Sequence, residues 1–307
     1  MKAVIPVAGH GTRLEPHTLK LQKCLLPVAG KPVLEHILDR LTDAGVSDIT
    51  LIIGHLGKQV KEFCKSYEKA EFTFVEQTER LGLGHSVYQG LLHMDEPVVI
   101  VLGDAILELD YAKLLTSKNT TIGVHLVSDP ERFGIVELDG ERIVKVFEKP
   151  ENPPSTLAII GIYYISSQKI LAEAVEYLMD HDIRTKNEYQ LTDAFQVMID
   201  EGHTFNSLEI DACLDCGIPD TILSTNRTLL DREGANAIHP ISVIENSDLT
   251  HCTISENCRV ENSGLENVIM LPGSRITNQC IENRIVGFEE ILAGATIPRV
   301  SHLLSSK

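Results

Sequence analysis

Basic residues are scarce in this chain. Against 44 Asp and Glu there are only 27 Lys and Arg in 307 residues, a formal net charge of −17. That balance argues against a nucleic-acid-binding surface, because phosphate backbones recruit basic patches. An anionic substrate must then be captured by a few local cations and not by the global field. No apolar run approaches the roughly 20 residues that cross a bilayer, so no membrane partner is expected. The sequence opens without a signal-peptide pattern, and its 7 cysteines are expected to stay as thiols in a reducing cytosol. A cytoplasmic location is the expectation. The pair Cys213 and Cys216 has no second pair at zinc spacing, which favours buried thiols over a metal site.

What is present is an alternation of apolar runs. The stretch from Ala3 to Ala8 reads as a buried parallel strand that runs into Gly9-His10-Gly11. Lys31 to Ala44 carries apolar residues at helical spacing, with Gly45 as a stop. Strands follow at Ile49–Ile53, Glu71–Val75 and Pro97–Leu102, with a short helix at Gln59–Tyr67 between the first two. This order implies an α/β fold with a parallel sheet whose ligand site lies at the carboxyl ends of the strands. From Thr120 to Ser166 shorter β segments (122–127, 135–138, 143–147, 157–165) point to a more antiparallel region. Helices are expected near 168–179, 191–201 and 218–232. Beyond Glu233, apolar residues recur about every six positions from Val243 to Ile281. That spacing predicts a short β-helix of about 18 residues per coil. The expected domains are therefore 1–233 and 234–307.

The densest chemical signal is Gly9-His10-Gly11-Thr12-Arg13, followed by Lys23 and Pro27. Glycines let backbone N–H groups approach phosphate oxygens. Arg13 adds a planar fork for phosphate and Lys23 a mobile point charge. The loop lacks Gly-Lys-Ser/Thr and the third dinucleotide glycine, so neither common nucleotide pattern applies.

This string resembles the signature of the sugar-1-phosphate nucleotidyltransferases, the family of glucose-1-phosphate thymidylyl- and uridylyltransferases. The similarity continues in order. Gln77 with Leu81-Gly82-Leu83-Gly84-His85 resembles the base-reading loop, and Leu102-Gly103-Asp104 the magnesium-binding strand end. Arg132-Phe133-Gly134 and Glu148-Lys149-Pro150 resemble the sugar and sugar-phosphate elements. Asn187 to Asp193 and Leu214-Asp215-Cys216-Gly217 complete the set. The resemblance implies a Rossmann-like nucleotidyltransferase domain with a mixed, mostly parallel sheet, and a left-handed β-helix-like tail as in the long members. It implies transfer from dTTP or UTP to a hexose 1-phosphate, with glucose 1-phosphate favoured, and release of pyrophosphate.

By the same resemblance, Arg13 and Lys23 are catalytic, and Gly9, Gly11, Thr12, Gln77 and Gly82 bind the nucleotide. Gly134, Glu148 and Lys149 bind the sugar phosphate, and Asp104 and Asp215 share Mg²⁺. A homo-oligomer, dimer or tetramer, is expected. The rival class is a non-catalytic homologue that binds nucleotide or sugar nucleotide for regulation. Such proteins usually lose Arg13, Lys23 or an acidic metal ligand, and this chain keeps all four. Acyl transfer by the tail is disfavoured because the tail is too short for a cofactor groove of its own. Two departures touch specificity: Ala105 stands where many members have Asn, and Ile183-Arg184-Thr185-Lys186 where a Trp-Arg-Gly run often stands. A third, Cys213-Leu214 where long members have Trp and Lys, bears on Asp215.

Overall fold

A computed structural model of the protein describes residues 1–92 and 94–294. Two compact units are interleaved along the sequence. The first combines Met1–Gly9 with Ile37–Cys213, and the second combines His10–His36 with the chain from Leu214 on. The boundary expected at 233/234 falls inside the second unit.

In the first unit the apolar runs behave as expected of parallel strands covered on both sides. Ala3–Ile5, Ile49, Leu51–Ile53 and Val98–Val101 are all buried. They belong to a 9-stranded sheet. In spatial order its strands are Glu71–Glu76, Asp48–Ile53, Lys2–Pro6, Val98–Val101, Leu157–Ile165, Thr120–Leu126, Phe205–Glu209, Arg142–Glu148 and Gly134–Asp139. The first four run parallel. Leu157–Ile165 is antiparallel to both of its neighbours, and the far edge is an antiparallel pair. The sheet is thus mixed, as in a Rossmann-like α/β fold with an antiparallel second half.

One central strand was not expected. Phe205–Glu209 lies parallel to Thr120–Leu126 and antiparallel to Arg142–Glu148. Only Phe205 and Leu208 of its five residues are apolar, too few for periodicity to register. Its anchor is Phe205, whose ring lies 5.6 Å from that of Phe195. Phe195 sits in turn 5.3 Å from Tyr163. The helices Gln168–Asp180 and Leu191–Asp200 form where their apolar spacing predicted, and both bury their apolar faces in this core.

The second unit is built on a repeat. Val243 aligns with Arg259, Arg275 and Ile291 in successive parallel strands, a step of 16 residues. Two further ladders, 237–253–269–285 and 248–264–280, keep the same step. The repeat is therefore 16 residues long and not about 18. Its corners explain the difference. Positive φ recurs at Asn246, Asn262 and Asn278, at His251, Asn267 and Asn283, and at Asn257, Gly273 and Glu289. The three sides of one repeat are 5, 6 and 5 residues long, measured from 246 to 251, 257 and 262. Asn suits such corners because its short side chain tolerates the left-handed region. Cys252 and Cys258 fill the interior of the stack, whereas Cys280 is exposed.

The helix Pro219–Glu233 packs on the strands Gly264–Met270 and Cys280–Val286. Its Asn226 is fully buried and joins three segments. Its side-chain oxygen accepts from the Ala29 N–H at 2.9 Å and from Thr253 Oγ1 at 2.6 Å, and its amide donates to the His251 carbonyl at 3.0 Å. Replacing Asn226 by Ala leaves those buried partners without their bonds. Each such orphan costs about 1–3 kcal/mol. Asn226→Ala is therefore expected to lower the unfolding free energy by about 2–4 kcal/mol in urea denaturation, and Leu in its place does not recover the loss.

Candidate active site

Each unit gathers its own set of the residues picked out in the sequence. In the second unit the glycine loop turns at Gly11, where φ is +67°. A Cβ at Gly11 would fall 2.9 Å from Thr18 Cγ2 and 3.0 Å from Lys23 Cβ, so glycine is required both for the turn and for the fit. Lys23 opens a short 3₁₀ turn, Lys23–Leu25, and is half-buried; Thr12 and Arg13 lie in another, Thr12–Leu14, and are exposed. Arg13 does not stand alone. A Cβ added at Gly217 would meet Asp215 Oδ1 at 3.1 Å and Arg13 Nη2 at 3.4 Å. The guanidinium and the carboxylate, 202 positions apart in sequence, thus flank one glycine. Asp215 ends the strand Ala212–Asp215. It is fixed by the Gly217 N–H donating to its Oδ1 at 3.0 Å and by Thr225 Oγ1 donating to its carbonyl at 2.9 Å.

The first unit holds the others at the ends of strands. Gly9 is exposed, just past the first strand, and Asp104 is half-buried, just past Val98–Val101. Gly103 packs against the same first strand: a Cβ there would fall 2.5 Å from Val7 Cγ1. Gln77 follows Glu71–Glu76 and donates its N–H to the Ile53 carbonyl at 2.8 Å, extending the parallel ladder. It lines a cavity of about 610 Å³ with His55, Gly57, Thr78 and Arg80. Gly82 has φ +117°, and a Cβ on it would lie 2.6 Å from the Tyr189 carbonyl. The Tyr189 N–H donates to the Leu81 carbonyl at 2.7 Å, and Gly84 N–H to the Tyr189 carbonyl at 2.9 Å.

Gly134, Glu148 and Lys149 form one cluster. The Glu148 side chain is only 8% exposed, pairs with Lys149 Nζ at 3.2 Å and accepts from Thr192 Oγ1 at 2.8 Å. Lys149 takes positive φ and donates its N–H to the Phe133 carbonyl at 3.1 Å. A Cβ on Gly134 would meet Thr192 Cγ2 at 3.0 Å. Burial pushes the neighbouring Asp193 carboxyl above its ordinary range, and the charge of Glu148 adds to the shift. Burial raises the Tyr163 phenol well beyond its usual value, with Glu148 and Asp104 both adding to it. Asp104 and Glu148 therefore act on the same buried ring.

A family model described as nucleotidyl transferase matches residues 2–232. The chain belongs to that family. Among its relatives, the bifunctional protein GlmU of Methanocaldococcus jannaschii is 35% identical over 234 residues, which cover 76% of this chain and 55% of that protein. The chain thus spans about half the length of that relative. A glucose-1-phosphate thymidylyltransferase of Streptomyces antibioticus is 30% identical over 332 aligned residues, covering 94% of this chain and 92% of its own. A UDP-glucose pyrophosphorylase solved with UDP-glucose superposes with a TM-score of 0.65 at 22% identity, over 75% of this chain and 98% of that one. At that identity the likeness shows the fold.

Sequence reasoning missed Thr192, Thr18 and the backbone of Tyr189 as members of the site. Thr192 and Tyr189 stand inside the string Asn187–Asp193, which drew notice as a motif without roles for its parts. Nothing in the spacing signals that Thr18 packs under Gly11. Gly82 offers a direct check, since any side chain there meets the backbone of residue 189 in a conformation that side chains avoid. Gly82→Ala is expected to raise KM for the nucleoside triphosphate at least about tenfold, a cost near 1.4 kcal/mol. KM for the sugar phosphate should change far less, and steady-state kinetics with each substrate varied in turn separates the two.

Proposed function

We propose that the protein transfers a nucleotidyl group from a pyrimidine nucleoside triphosphate, dTTP or UTP, to a hexose 1-phosphate, with glucose 1-phosphate as the favoured acceptor. The products are a nucleoside diphosphate sugar and pyrophosphate. The observation that carries this reading is that Arg13 and Asp215 both border Gly217, in the unit whose glycine turn packs on Lys23. A phosphate-directed fork, an acid and a lysine are the parts that phosphoryl chemistry on a triphosphate requires.

A phosphate oxygen of the sugar 1-phosphate attacks the α-phosphorus in line, and the bond from that phosphorus to the bridging oxygen breaks as pyrophosphate leaves. Two polyanions have to approach, so positioning and charge compensation do most of the catalysis. Arg13 and Lys23 offset charge on the triphosphate as it builds at the transferring phosphorus. Lys149 holds the sugar phosphate, and Glu148 and the backbone at Gly134 face sugar hydroxyls. Glu148 suits that task because Thr192 and Lys149 hold both of its oxygens. Gln77 pairs with the pyrimidine edge, and Gly9, Gly11, Thr12 and Gly82 bring backbone to the nucleotide.

Asp104 and Asp215 are the residues that would hold Mg²⁺. They offer only carboxylate oxygens, the donors that hard cation takes together with phosphate and water. Among the described residues no group of three or more His, Cys, Asp or Glu side chains is gathered for a metal. When bound, the ion would add positive charge at the phosphates. No helix of the described residues is long and apolar enough to cross a membrane, and the enzyme is assigned to the cytoplasm. The 16-residue stack is read as a left-handed β-helix, following a catalytic domain over 1–233, and as the seat of assembly into a dimer or tetramer.

Pyrophosphate release over a matrix of triphosphates and sugar 1-phosphates, with and without Mg²⁺, tests the proposal. Release is expected with dTTP and UTP and only with the metal. The two triphosphates differ by one methyl and a ribose hydroxyl, and the methyl alone is worth about 1–3 kcal/mol in an apolar contact. Silence with every pairing would sink the reading in favour of a regulatory homologue. Arg13→Ala is expected to lower kcat/KM by roughly 10²–10³, the scale seen on removing one donor that stabilises developing charge. Lys149→Ala should act mainly through KM for the sugar phosphate.

A further inference from the structure

Between Arg13 and Lys23 the chain makes a 3₁₀ turn, His17–Leu19, to which the functional reading gives no role. Thr18 within it is 1% exposed. Its hydroxyl donates to the Gly11 carbonyl at 2.8 Å, and its methyl occupies the space that a Gly11 Cβ would need. Because Lys23 Cβ borders the same space, Thr18 braces the glycine turn from the side where the lysine enters.

Its neighbour His17 touches the far end of the chain. A Cβ at Gly287 would lie 3.7 Å from His17 Nδ1 and 3.8 Å from its Cε1. That nitrogen is buried with no hydrogen-bond partner, and burial lowers the pKa of the imidazole, with Glu290 opposing the shift and Arg284 adding to it. Gly287 starts a turn that is itself well fixed. Its N–H donates to Glu290 Oε2 at 2.7 Å, and Arg284 Nη2 donates to Glu290 Oε1 at 2.6 Å. Phe288 lies under Lys20 at 6.0 Å, and Glu289 pairs with the same lysine at 3.7 Å. Both partners of that pair are exposed, so it adds little. Gly287 does not use positive φ; a Cβ there would meet Glu290 Oε2 first, at 3.3 Å, and the imidazole at van der Waals distance.

We propose that His17 and Thr18 are positioning residues for the triphosphate loop, held in register by the Gly287–Glu290 turn at the end of the parallel stack. The carboxyl-terminal stack then has a part in catalysis, although none of its residues touches substrate. This inference rests on the nucleotidyltransferase reading for its kinetic consequence and on the contacts alone for its mechanical one.

The test uses the full chain with Thr18→Val, Thr18→Ser, Gly287→Val and the double variant Thr18→Val with Gly287→Val. Amide hydrogen exchange over residues 9–25 is expected to speed up in Thr18→Val and Gly287→Val. In both, KM for the triphosphate should rise roughly 3- to 10-fold, the scale of one lost hydrogen bond, with KM for the sugar 1-phosphate within about twofold. Thr18→Ser, which keeps the hydroxyl, should restore most of the loss. The double variant should fall short of the product of the singles, since both act on the same loop. Thr18→Val indistinguishable from the parent in exchange and in KM would overturn the inference, as would additive effects in the double variant. Loss of both KM values together with a lowered Tm would also overturn it, by showing general loosening. A parent enzyme silent in the pyrophosphate assay, with exchange responding as expected, would instead remove the functional reading and leave the positioning intact.

Discussion

The loop that carries Arg13 and Lys23 has almost no regular structure of its own. It consists of three short 3₁₀ turns and a two-strand hairpin, Pro27–Val28 with Lys31–Pro32. Such a segment cannot hold a guanidinium and an ammonium in place by local hydrogen bonds alone. One buried amide ties it to two distant segments. Asn226 accepts from the hairpin through Ala29 and from the stack through Thr253, and it donates to the corner at His251. A leucine of similar size would fill the space but satisfy none of these groups. In a buried setting the unsatisfied partners cost more than the apolar contact returns. The seat of the loop is therefore specified by polarity inside an otherwise apolar contact, a device that fixes one arrangement more sharply than packing does.

The same constraint explains why the compact units ignore sequence order. Helix Pro219–Glu233 is covered on one side by the hairpin and on another by the stack, so residues 10–36 share a unit with a region nearly 200 positions downstream. The charge economy of the protein follows the same local logic. With a net charge of −17, the overall field repels a triphosphate. The cations that oppose it are few and individually placed: Arg13 beside Asp215, and Lys149 beside Glu148. Each has an acidic side chain close by. This arrangement trades long-range attraction for geometric control, and phosphoryl transfer rewards the latter.

Much of the fold was legible because its long apolar runs and helices declare themselves by period. The helices at 168–180 and 191–200 and the strand at 157–165 lie within a residue of where that spacing put them. Phe205–Glu209 escaped because its place in the sheet is conferred by neighbours and not by its own composition. The repeat length was misjudged for a different reason. Apolar residues mark the sides of the stack, but its corners set the length. Two sides of five residues and one of six pass for hexads over a short span. The Asn residues at 246, 262 and 278 carry the true step, and they look like ordinary loop residues until positive φ is seen.

For the site, the sequence made the charged members visible and hid the groups that hold them. Arg13, Lys23, Glu148 and Lys149 are conspicuous because their chemistry is rare and their order is specific. Thr18, Thr192 and Asn226 are common residue types whose value lies wholly in what they touch. The asymmetry has a physical basis. A catalytic cation is defined by what it can do to a phosphate, which its identity reveals, whereas a supporting hydroxyl or amide is defined by two partners that only the folded chain brings together. The supporting set also couples distant segments, since it spans from residue 18 to residue 253. Where the chemistry must be invariant and its control adjustable, a fold gains by placing the two on different residues.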